Sequence, residues 1–556
     1  MSSIQHFKRE SINKDNACFS AIRAVIETAF YGNNVTKVTS LETAYTLAKN
    51  APGTIVTDLP VSHTEELGLP EDAKILVNND GAVVGRTAAA RRIIGQDGVD
   101  EAKYCKILQE AVFTSGRKQF YKGSIFVGLA PEFTMQAHLM LPQEYSSNLY
   151  TYLLNFQIAN DHTFFYAASK EIPEGDLYLF CDPDWSHPDF PDGLVVIDHL
   201  HNCAAVLGLR YFGELKKATL TLAWACAHRN GFIACHGGMK QYVLPEHKYT
   251  MAAFGLSGSG KSTITLASHN NQHMINVLHD DAFVICKNKG SSTALEPAYF
   301  DKTQDYPLVS DQVKYIVTAQ NVGVTLDNHN QRVLLTEDVR NGNGRSIKSR
   351  YVTKNRVDHL VEKVDAVFWI MKDDSFPPVI KVNDPELAAV LGATLATKRS
   401  TAENVIGDSS KDKLVIEPFA NPFRCYPLAE DYKDFLELFK NQQTDCYLLN
   451  TGFFQGKKVT PSHTLTSIEK IVEKNVECQT FGPLKEMTYL PIEGLLPDFT
   501  DLAYITKLMK RIETRLAFVQ SRKHVNNGYD RLPNNAERLL LRMLDDLHTY
   551  KESLIN

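Results

Sequence analysis

The chain of 556 residues lacks long apolar runs and an apolar start. No run reaches the ~18 apolar residues that a membrane-spanning helix needs. The stretch from Met1 to Glu10 has no apolar core of the kind found in signal peptides. We therefore expect a cytoplasmic protein that does not act at a membrane.

Paired cysteine motifs and an excess of positive charge are also missing. None of the ten cysteines forms a C-x-x-C pair, and several, such as Cys226 and Cys286, lie in apolar segments. This usage predicts buried thiols in a reducing compartment. The net charge of −6 argues against a nucleic-acid-binding protein, which is usually basic. The length allows two or more domains, and the 44% hydrophobic content is that of a globular protein.

The most informative stretch that is present matches the phosphate-loop pattern G-x-x-x-x-G-K-[ST]. Its glycines allow backbone N–H groups to point at phosphate oxygens, while Lys261 supplies a positive charge and Ser262 a hydroxyl for Mg²⁺. An ordinary Gly/Ser turn is the alternative interpretation. The predicted residues that bind a nucleoside triphosphate in this stretch are Gly255, Leu256, Ser257, Gly258, Ser259, Gly260, Lys261, Ser262 and Thr263.

Apolar periodicity predicts an α/β protein built from mixed sheets and helices. The phosphate-loop pattern is preceded by a predicted strand over 249–254 and followed by a helix that begins near 264. The last 55 or so residues carry two amphipathic stretches, with Asn534 or Asn535 as the N-cap of the second. We expect these helices to pack on the body of the protein rather than to form an oligomer contact. Further helices are predicted over 21–29 and 41–49, and strands over 53–57, 125–129, 177–181, 194–197, 364–370 and 445–450.

Three polar islands flank the phosphate-loop pattern, and each stands beside a predicted strand. They contain Lys216 with Lys217, His236, and Asp280 with Asp281. Together they could form a second cation site, although paired lysines are often solvated and a histidine in apolar surroundings is often a hydrogen-bonded core residue. An aspartate that ends a buried strand after a phosphate loop is typical of a Mg²⁺-holding residue. A turn or helix-cap aspartate is the alternative.

These residues resemble the motifs of ATP-dependent phosphoenolpyruvate carboxykinases. The family's Y-A-G-E-M-K-K is similar to 211–217, its metal-site histidine to His236, and its G-D-D to 279–281. Its G-R-S, N-T-R and Y-L-V-N-T-G are similar to 85–87, 343–345 and 447–452. The resemblance spans roughly residues 85 to 465. It implies a two-domain enzyme that converts oxaloacetate and ATP to phosphoenolpyruvate, ADP and CO₂, in gluconeogenesis or in the reverse, anaplerotic direction.

The resemblance also implies roles for individual residues. Lys217, in its neutral form, would bind a Mn²⁺ together with His236 and Asp281. Lys216 would stabilise the enolate and the transferring phosphoryl group, and Arg345 would neutralise charge on that group. The substrate carboxylate would contact Arg86, and Tyr211 would pack against the carboxyl group that leaves. For Mg²⁺ and nucleotide the implied residues are Ser262, Asp280, Lys458 and Thr464.

Some segments depart from the family pattern. Lys458 stands where the family has a base-stacking arginine, and Ala282 and Phe283 replace an acidic and an aromatic residue. Two alternatives therefore stay open: a kinase or carboxykinase with another donor or acid substrate, and a non-catalytic ATP-binding regulatory protein. Either way, we expect a monomer or small homo-oligomer that binds small molecules.

The predicted domains are an α/β substrate-side domain over 1–232, a nucleotide- and metal-binding domain over 233–500 and a helical C-terminal extension over 501–556. The polar segment 398–413 is predicted to be a loop, either a catalytic lid or a passive surface loop.

Overall fold

The computed structural model describes residues 2–78, 90–256, 258–337, 339, 343–398 and 414–556. The described part of the chain forms twelve α-helices: α1 (Ala21–Ala29), α2 (Leu41–Lys49), α3 (Glu101–Ser115), α4 (Ser146–Asn155), α5 (Thr163–Ala168), α6 (Phe212–Arg229), α7 (Lys261–Leu266), α8 (Pro385–Ala393), α9 (Leu428–Asn441), α10 (Pro461–Val472), α11 (Leu502–Ser521) and α12 (Asn534–Ile555). No described helix is long and apolar enough to cross a membrane.

The strands lie between these helices and are mostly short. They are β1 (Val35–Val38), β2 (Thr54–Pro60), β3 (Lys74–Asn78), β4 (Arg91–Ile93), β5 (Phe120–Ala130), β6 (Phe133–Pro142), β7 (Gln157–Ile158), β8 (Leu177–Asp182), β9 (Leu194–Asp198), β10 (Cys203–Leu207), β11 (Phe232–His236), β12 (Gly238–Val243), β13 (Lys248–Phe254), β14 (Met274–His279), β15 (Ala282–Cys286), β16 (Ser292–Ala294), β17 (Tyr299–Lys302), β18 (Ile316–Gln320), β19 (Gly323–Leu326), β20 (Arg332–Leu335), β21 (Arg345–Lys348), β22 (His359–Leu360), β23 (Ala366–Met371), β24 (Val379–Val382), β25 (Ala396–Lys398), β26 (Leu414–Ile416), β27 (Asp445–Asn450), β28 (Phe453–Phe454), β29 (Lys457–Lys458), β30 (Gln479–Phe481) and β31 (Leu484–Tyr489).

The chain divides into two compact units. The described residues of the first belong to Met1–Asn230 and Thr293–Lys354. Those of the second belong to Gly231–Ser292, Asn355–Glu403 and Asp408–Asn556. The expected α/β class, with mixed sheets and helices, is confirmed. The domain boundaries read from the sequence stay a prediction.

The first unit is built on an eight-stranded sheet and a five-stranded sheet. The larger has the order β1-β5-β6-β8-β10-β9-β4, with β7 paired to β5, and mixes parallel and antiparallel pairs. Buried side chains of α1 and α3, among them Ile26 and Leu108, pack with Phe180 and Val196 of this sheet. The smaller sheet has the order β17-β21-β18-β3-β2, so strands distant in the chain share it.

The second unit is built on an eight-stranded sheet of order β14-β12-β13-β23-β27-β24-β31-β30. Its central strands β13, β23 and β27 are parallel, with Phe254 paired to Trp369 and Trp369 to Leu448. The carboxyl ends of these three strands therefore meet at one edge of the sheet. In open α/β sheets that edge is where ligands bind.

Apolar spacing in the sequence correctly predicted the bounds of several helices and strands. Helices α1 and α2 cover 21–29 and 41–49 as predicted, and each begins after a serine whose hydroxyl accepts a hydrogen bond from a backbone N–H in the first turn. The strand predicted over 445–450 is β27. The strands predicted over 53–57, 125–129, 177–181, 194–197 and 364–370 lie within or overlap β2, β5, β8, β9 and β23.

Two local predictions are wrong. The helix predicted to begin near 264 is α7, which begins three residues earlier, at Lys261, directly after the left-handed Gly260, and ends at Leu266. Near its end, the buried Lys240 Nζ donates to the carbonyls of Ile264 (2.7 Å) and Ala267 (3.3 Å). Helix α12 has Pro533 as its N-cap, not an asparagine.

The two C-terminal helices pack within the second unit, as expected. Ile505, Ile512, Leu540 and Leu547 are buried. All ten cysteines are free thiols; Cys226 is buried as predicted, whereas Cys286 is only partly buried.

Candidate functional site

Each unit carries its own group of the predicted site residues. In the second unit the group surrounds the loop that leaves β13. Gly258 and Gly260 have φ values of 78° and 99°, a region that favours glycine. A Cβ on Gly255 would lie 2.4 Å from Ser259 Oγ and 3.0 Å from Ile370 Cβ, so a larger residue would require these side chains to move. The backbone path favours glycine at 258 and 260, and the packing favours it at 255.

Neighbouring strand ends hold this loop in place. The Thr451 hydroxyl, which follows β27, donates to the carbonyl of Ser259 at 2.7 Å. Lys372, which follows β23, donates from Nζ to the carbonyl of Gly258 at 2.7 Å. The loop is therefore fixed by residues at the same edge of the sheet, while Ser262 and Thr263 in the first turn of α7 are exposed.

His236 and Asp281 lie side by side near Lys261. The His236 Nε2 atom is 3.0 Å from Asp281 Oδ1, and Lys261 Nζ is 4.0 Å from the same oxygen. The other ring nitrogen, Nδ1, donates to the carbonyl of Ala420 at 2.7 Å. Because Nδ1 carries that proton, Nε2 faces the carboxylate either with a second proton or with a lone pair directed at a shared cation.

The turn that carries Asp280 and Asp281 is organised by the buried His279. Its Nδ1 accepts hydrogen bonds from the backbone N–H groups of Asp281 (3.0 Å) and Ala282 (3.1 Å). The carbonyl of Asp281 accepts from the N–H of Gly237 at 3.1 Å. Asp280 is also buried. Both sides of the Asp281 peptide are therefore fixed beside His236.

In the first unit, Lys216 forms a fully buried ion pair. Its Nζ lies 2.9 Å from Glu296 Oε1, and the two side chains are 1% and 0% exposed. The second carboxylate oxygen of Glu296 accepts from Asn155 Nδ2 at 2.6 Å. A buried ammonium needs such a partner, and this arrangement favours the charged form of Lys216.

Tyr211 and Arg345 belong to the same neighbourhood of the first unit. Burial raises the pKa of the Tyr211 hydroxyl, and the charge of Arg345, to which it is hydrogen-bonded, opposes that rise. The ring of Phe300 lies 6.0 Å from the Tyr211 ring and 5.6 Å from Lys216 Nζ. Phe300 thus packs against two predicted site residues and lowers the local polarity around them.

The remaining predicted residues are placed as follows. Lys217 follows on the same helix, α6, with Nζ 6.0 Å from the Trp224 ring. Lys458 is exposed on β29, and Thr464 is buried in the first turns of α10. Arg86, Ser257 and most of the 398–413 segment, the lid candidate, lie outside the described residues.

The donor set of the second unit fits a divalent cation. Two ligands at about 2.1 Å from an octahedral ion, at right angles, would be about 3.0 Å apart, which is the distance between His236 Nε2 and Asp281 Oδ1. The Nδ1 hydrogen bond to a carbonyl is the usual way in which a metal-binding histidine is oriented. Among the described residues no group of three or more His, Cys, Asp or Glu could hold a metal. The predicted set of Lys217, His236 and Asp281 is not a group of this kind, because one of its three direct ligands is a lysine.

Several residues of these groups were not singled out from the sequence. Glu296 and Phe300 reach Lys216 from about 80 positions along the chain, and Thr451 and Lys372 reach the loop from other strand ends. The only sequence signal for Glu296 is a lone carboxylate between apolar residues. His279 directly precedes Asp280 and Asp281, but the sequence pattern assigns no separate role to it.

Comparison with known proteins identifies related chains. The family model described as phosphoenolpyruvate carboxykinase matches residues 70–489, a range that contains every predicted site residue. The phosphoenolpyruvate carboxykinase (ATP) of Aeropyrum pernix is 25% identical over 302 residues. That alignment covers 52% of this chain and 60% of the relative, so the chain spans less than two thirds of the relative's length. Helices α11 and α12 lie beyond the residues matched by the family model.

Proposed function

Because the chain belongs to the ATP-dependent phosphoenolpyruvate carboxykinase family, we propose that it decarboxylates oxaloacetate and transfers the γ-phosphoryl group of ATP to the resulting enolate. The products are phosphoenolpyruvate, ADP and CO₂. The geometric observation that carries the proposal is the His236–Asp281 pair beside Lys261, because it combines a cation site with a phosphate-directed lysine. Nucleotide binding alone would not require the buried Lys216 and the neighbouring Lys217.

The metal roles follow from the donor chemistry. We propose that His236 and Asp281, together with Lys217, hold a Mn²⁺, and that Ser262 and Asp280 serve a Mg²⁺ that accompanies the nucleotide. When bound, such cations neutralise negative charge on enolate and phosphate oxygens. The hydrogen bond from His236 Nδ1 to Ala420 holds the ring so that Nε2 stays directed at the cation site.

The nucleotide phosphates are assigned to the loop from Gly255 to Thr263. Its two left-handed glycines allow backbone N–H groups to face the phosphates, and Lys261 is proposed to supply a positive charge to them. Lys458 and Thr464 are proposed to contact the base. An ammonium stacks less well on a base than a guanidinium does, so the test compares ATP with GTP directly.

The acid substrate is assigned to the first unit. Lys216 is the proposed stabiliser of the enolate oxygen, and its ion pair with Glu296 favours the charge that this role requires. Arg345 is proposed to neutralise the phosphoryl group in transit, Tyr211 to pack against the leaving carboxyl group, and Arg86 to bind a substrate carboxylate. These groups act by position and charge, so little proton transfer is needed.

The test is phosphoenolpyruvate formation from oxaloacetate with Mn²⁺ and Mg²⁺, in parallel reactions with ATP, GTP, pyrophosphate and no donor. We expect product with ATP, and loss of turnover in Lys217→Ala with ATP affinity nearly unchanged. Lys103→Ala, which removes an exposed lysine of α3, is the matched control and should behave as wild type.

The other outcomes identify the alternatives. Product formed only with another donor would show that the protein departs from the family at the nucleotide site around Lys458. ATP binding without any product from oxaloacetate would support a different acid substrate or a regulatory protein. Equal loss of turnover and ATP affinity in Lys217→Ala would contradict the proposed metal role.

A further inference from the structure

We propose that His279 is a positioning residue that fixes Asp281 as a metal ligand by accepting two backbone hydrogen bonds at its Nδ1. The inference rests on the proposed metal role of Asp281 and adds to it a residue to which the family's pattern assigns nothing. That pattern has a glycine at the corresponding place, which offers no side-chain acceptor.

Of the two hydrogen bonds, the one from Ala282 is buried and the one from Asp281 is partly buried. His279 ends β14 and is fully buried, and its Nδ1 accepts the N–H groups of Asp281 and Ala282 at 3.0 and 3.1 Å. A buried N–H that loses its acceptor is left with an unmet polar group, which the turn can relieve only by moving. The imidazole must accept at Nδ1, so its proton resides on Nε2.

The opposite side of the same turn is fixed to the strand of the other ligand. Ala282 pairs with His236 across β15 and β11, and the carbonyl of Asp281 accepts from the N–H of Gly237 at 3.1 Å. With both flanks fixed, the carboxylate of Asp281 is held 3.0 Å from His236 Nε2. Loss of the His279 acceptor would free one flank and let that distance vary.

The chemistry of the side chain gives a sharp set of variants. In His279→Asn the amide oxygen can occupy nearly the position of Nδ1 and keep the acceptor. In His279→Gln the acceptor lies one methylene farther from the backbone, and in His279→Leu it is absent. A purely space-filling role would rank these variants by volume instead, with asparagine worst.

The experiment measures Mn²⁺ affinity without substrate, from the electron paramagnetic resonance signal of the free ion, with thermal unfolding as a check on folding. We expect His279→Leu and His279→Gln to weaken Mn²⁺ binding by about 10- to 100-fold, as loss of an orienting partner does at other metal sites. His279→Asn should stay close to wild type. The exposed His329→Leu is the control and should change nothing.

The outcomes separate this inference from the proposed function. If wild type binds no Mn²⁺, or if Asp281→Asn binds it as well as wild type, the metal role itself is wrong and the inference fails with it. Suppose that wild type binds Mn²⁺ and Asp281→Asn does not. If the leucine and glutamine variants then bind Mn²⁺ as tightly as wild type, the positioning role alone is overturned. Weakening in the order of side-chain volume would also overturn it. Should the leucine variant not fold, the asparagine and glutamine pair decides the result.

Discussion

Replacing Glu296 by glutamine should destabilise the protein strongly at neutral pH and much less at alkaline pH. The substitution keeps the shape of the side chain and one acceptor oxygen, but it removes the negative charge 2.9 Å from the Lys216 ammonium. Both groups are buried, and Asn155 occupies the other carboxylate oxygen. The ammonium would then have lost the negative charge of Glu296 while staying buried.

The magnitude follows from two limits. At an effective dielectric constant of about 20, two charges 2.9 Å apart attract by about 6 kcal/mol, and breaking one side of a buried pair usually costs about 3–5 kcal/mol. The stranded lysine can instead release its proton, which for an ordinary lysine costs about 4.6 kcal/mol at pH 7 and about 1.9 kcal/mol at pH 9. We therefore expect a loss of about 3–4.6 kcal/mol near pH 7 that falls to about 2 kcal/mol or less near pH 9.

Urea unfolding followed by circular dichroism at both pH values measures this loss. The double variant with Lys216→Met removes the charge as well, so it should be more stable than Glu296→Gln alone at neutral pH. A loss below about 1 kcal/mol at pH 7, or a loss that grows with pH, would refute the reasoning about a buried charged pair.

Three further predictions concern the second unit and its control positions. Burial lowers the pKa of Lys240 to about 7 in the folded protein. Between pH 7 and the ordinary lysine pKa, the unfolded chain holds a proton on Lys240 that the folded protein has released. The free energy of unfolding should therefore rise with pH by up to about 1.4 kcal/mol per pH unit above pH 7. Urea titrations of Lys240→Met should lose that slope, and an unchanged slope would contradict the assignment. Gly260→Ala, at φ 99°, should lower the free energy of unfolding by about 1–2 kcal/mol and weaken ATP binding. The control Gly98→Ala, at φ 80° in the first unit, should lower it by the same amount without changing ATP affinity. An equal effect of both variants on ATP affinity would argue against the phosphate role of Gly260. Arg515→Met should destabilise by about 1.5–3 kcal/mol, because it removes a guanidinium 3.2 Å from one oxygen of the buried Asp373 carboxylate while Arg511 remains 3.4 Å from the other. Chemical denaturation measures this loss, and a loss under about 0.5 kcal/mol would show that Arg511 alone satisfies the carboxylate.

Local pattern was enough to predict many elements of the fold. Helix α2 and strand β27 have their predicted bounds, because apolar spacing and a serine cap are properties of a few consecutive residues. The length of α7 could not be predicted in this way. At the end of α7, the carbonyl of Ile264 accepts from Lys240 Nζ, which reaches it from β12, a partner that the local sequence does not reveal.

For the candidate site, the sequence named residue types but not their partners. The match of Gly255 to Thr263 to a known pattern predicted the loop whose left-handed glycines the structure shows. Glu296 could not be paired with Lys216, since nothing in either segment encodes a contact across 80 positions. The same holds for His279, whose role depends on the direction of one ring nitrogen and therefore on the tertiary position of the turn.

The order of strands in the five-stranded sheet has a consequence for biosynthesis. Strand β3 pairs with β18, and the Thr318 hydroxyl that bonds to the carbonyl of Leu76 lies 242 positions further along the chain. At translation rates of 5–20 residues per second, about 10–50 s pass between the emergence of the two partners. During that interval the edge of β3 is an unpaired strand that can recruit other chains. The first unit therefore cannot finish folding in N-to-C order, and the nascent chain must carry an open sheet edge while residues of the second unit are being made.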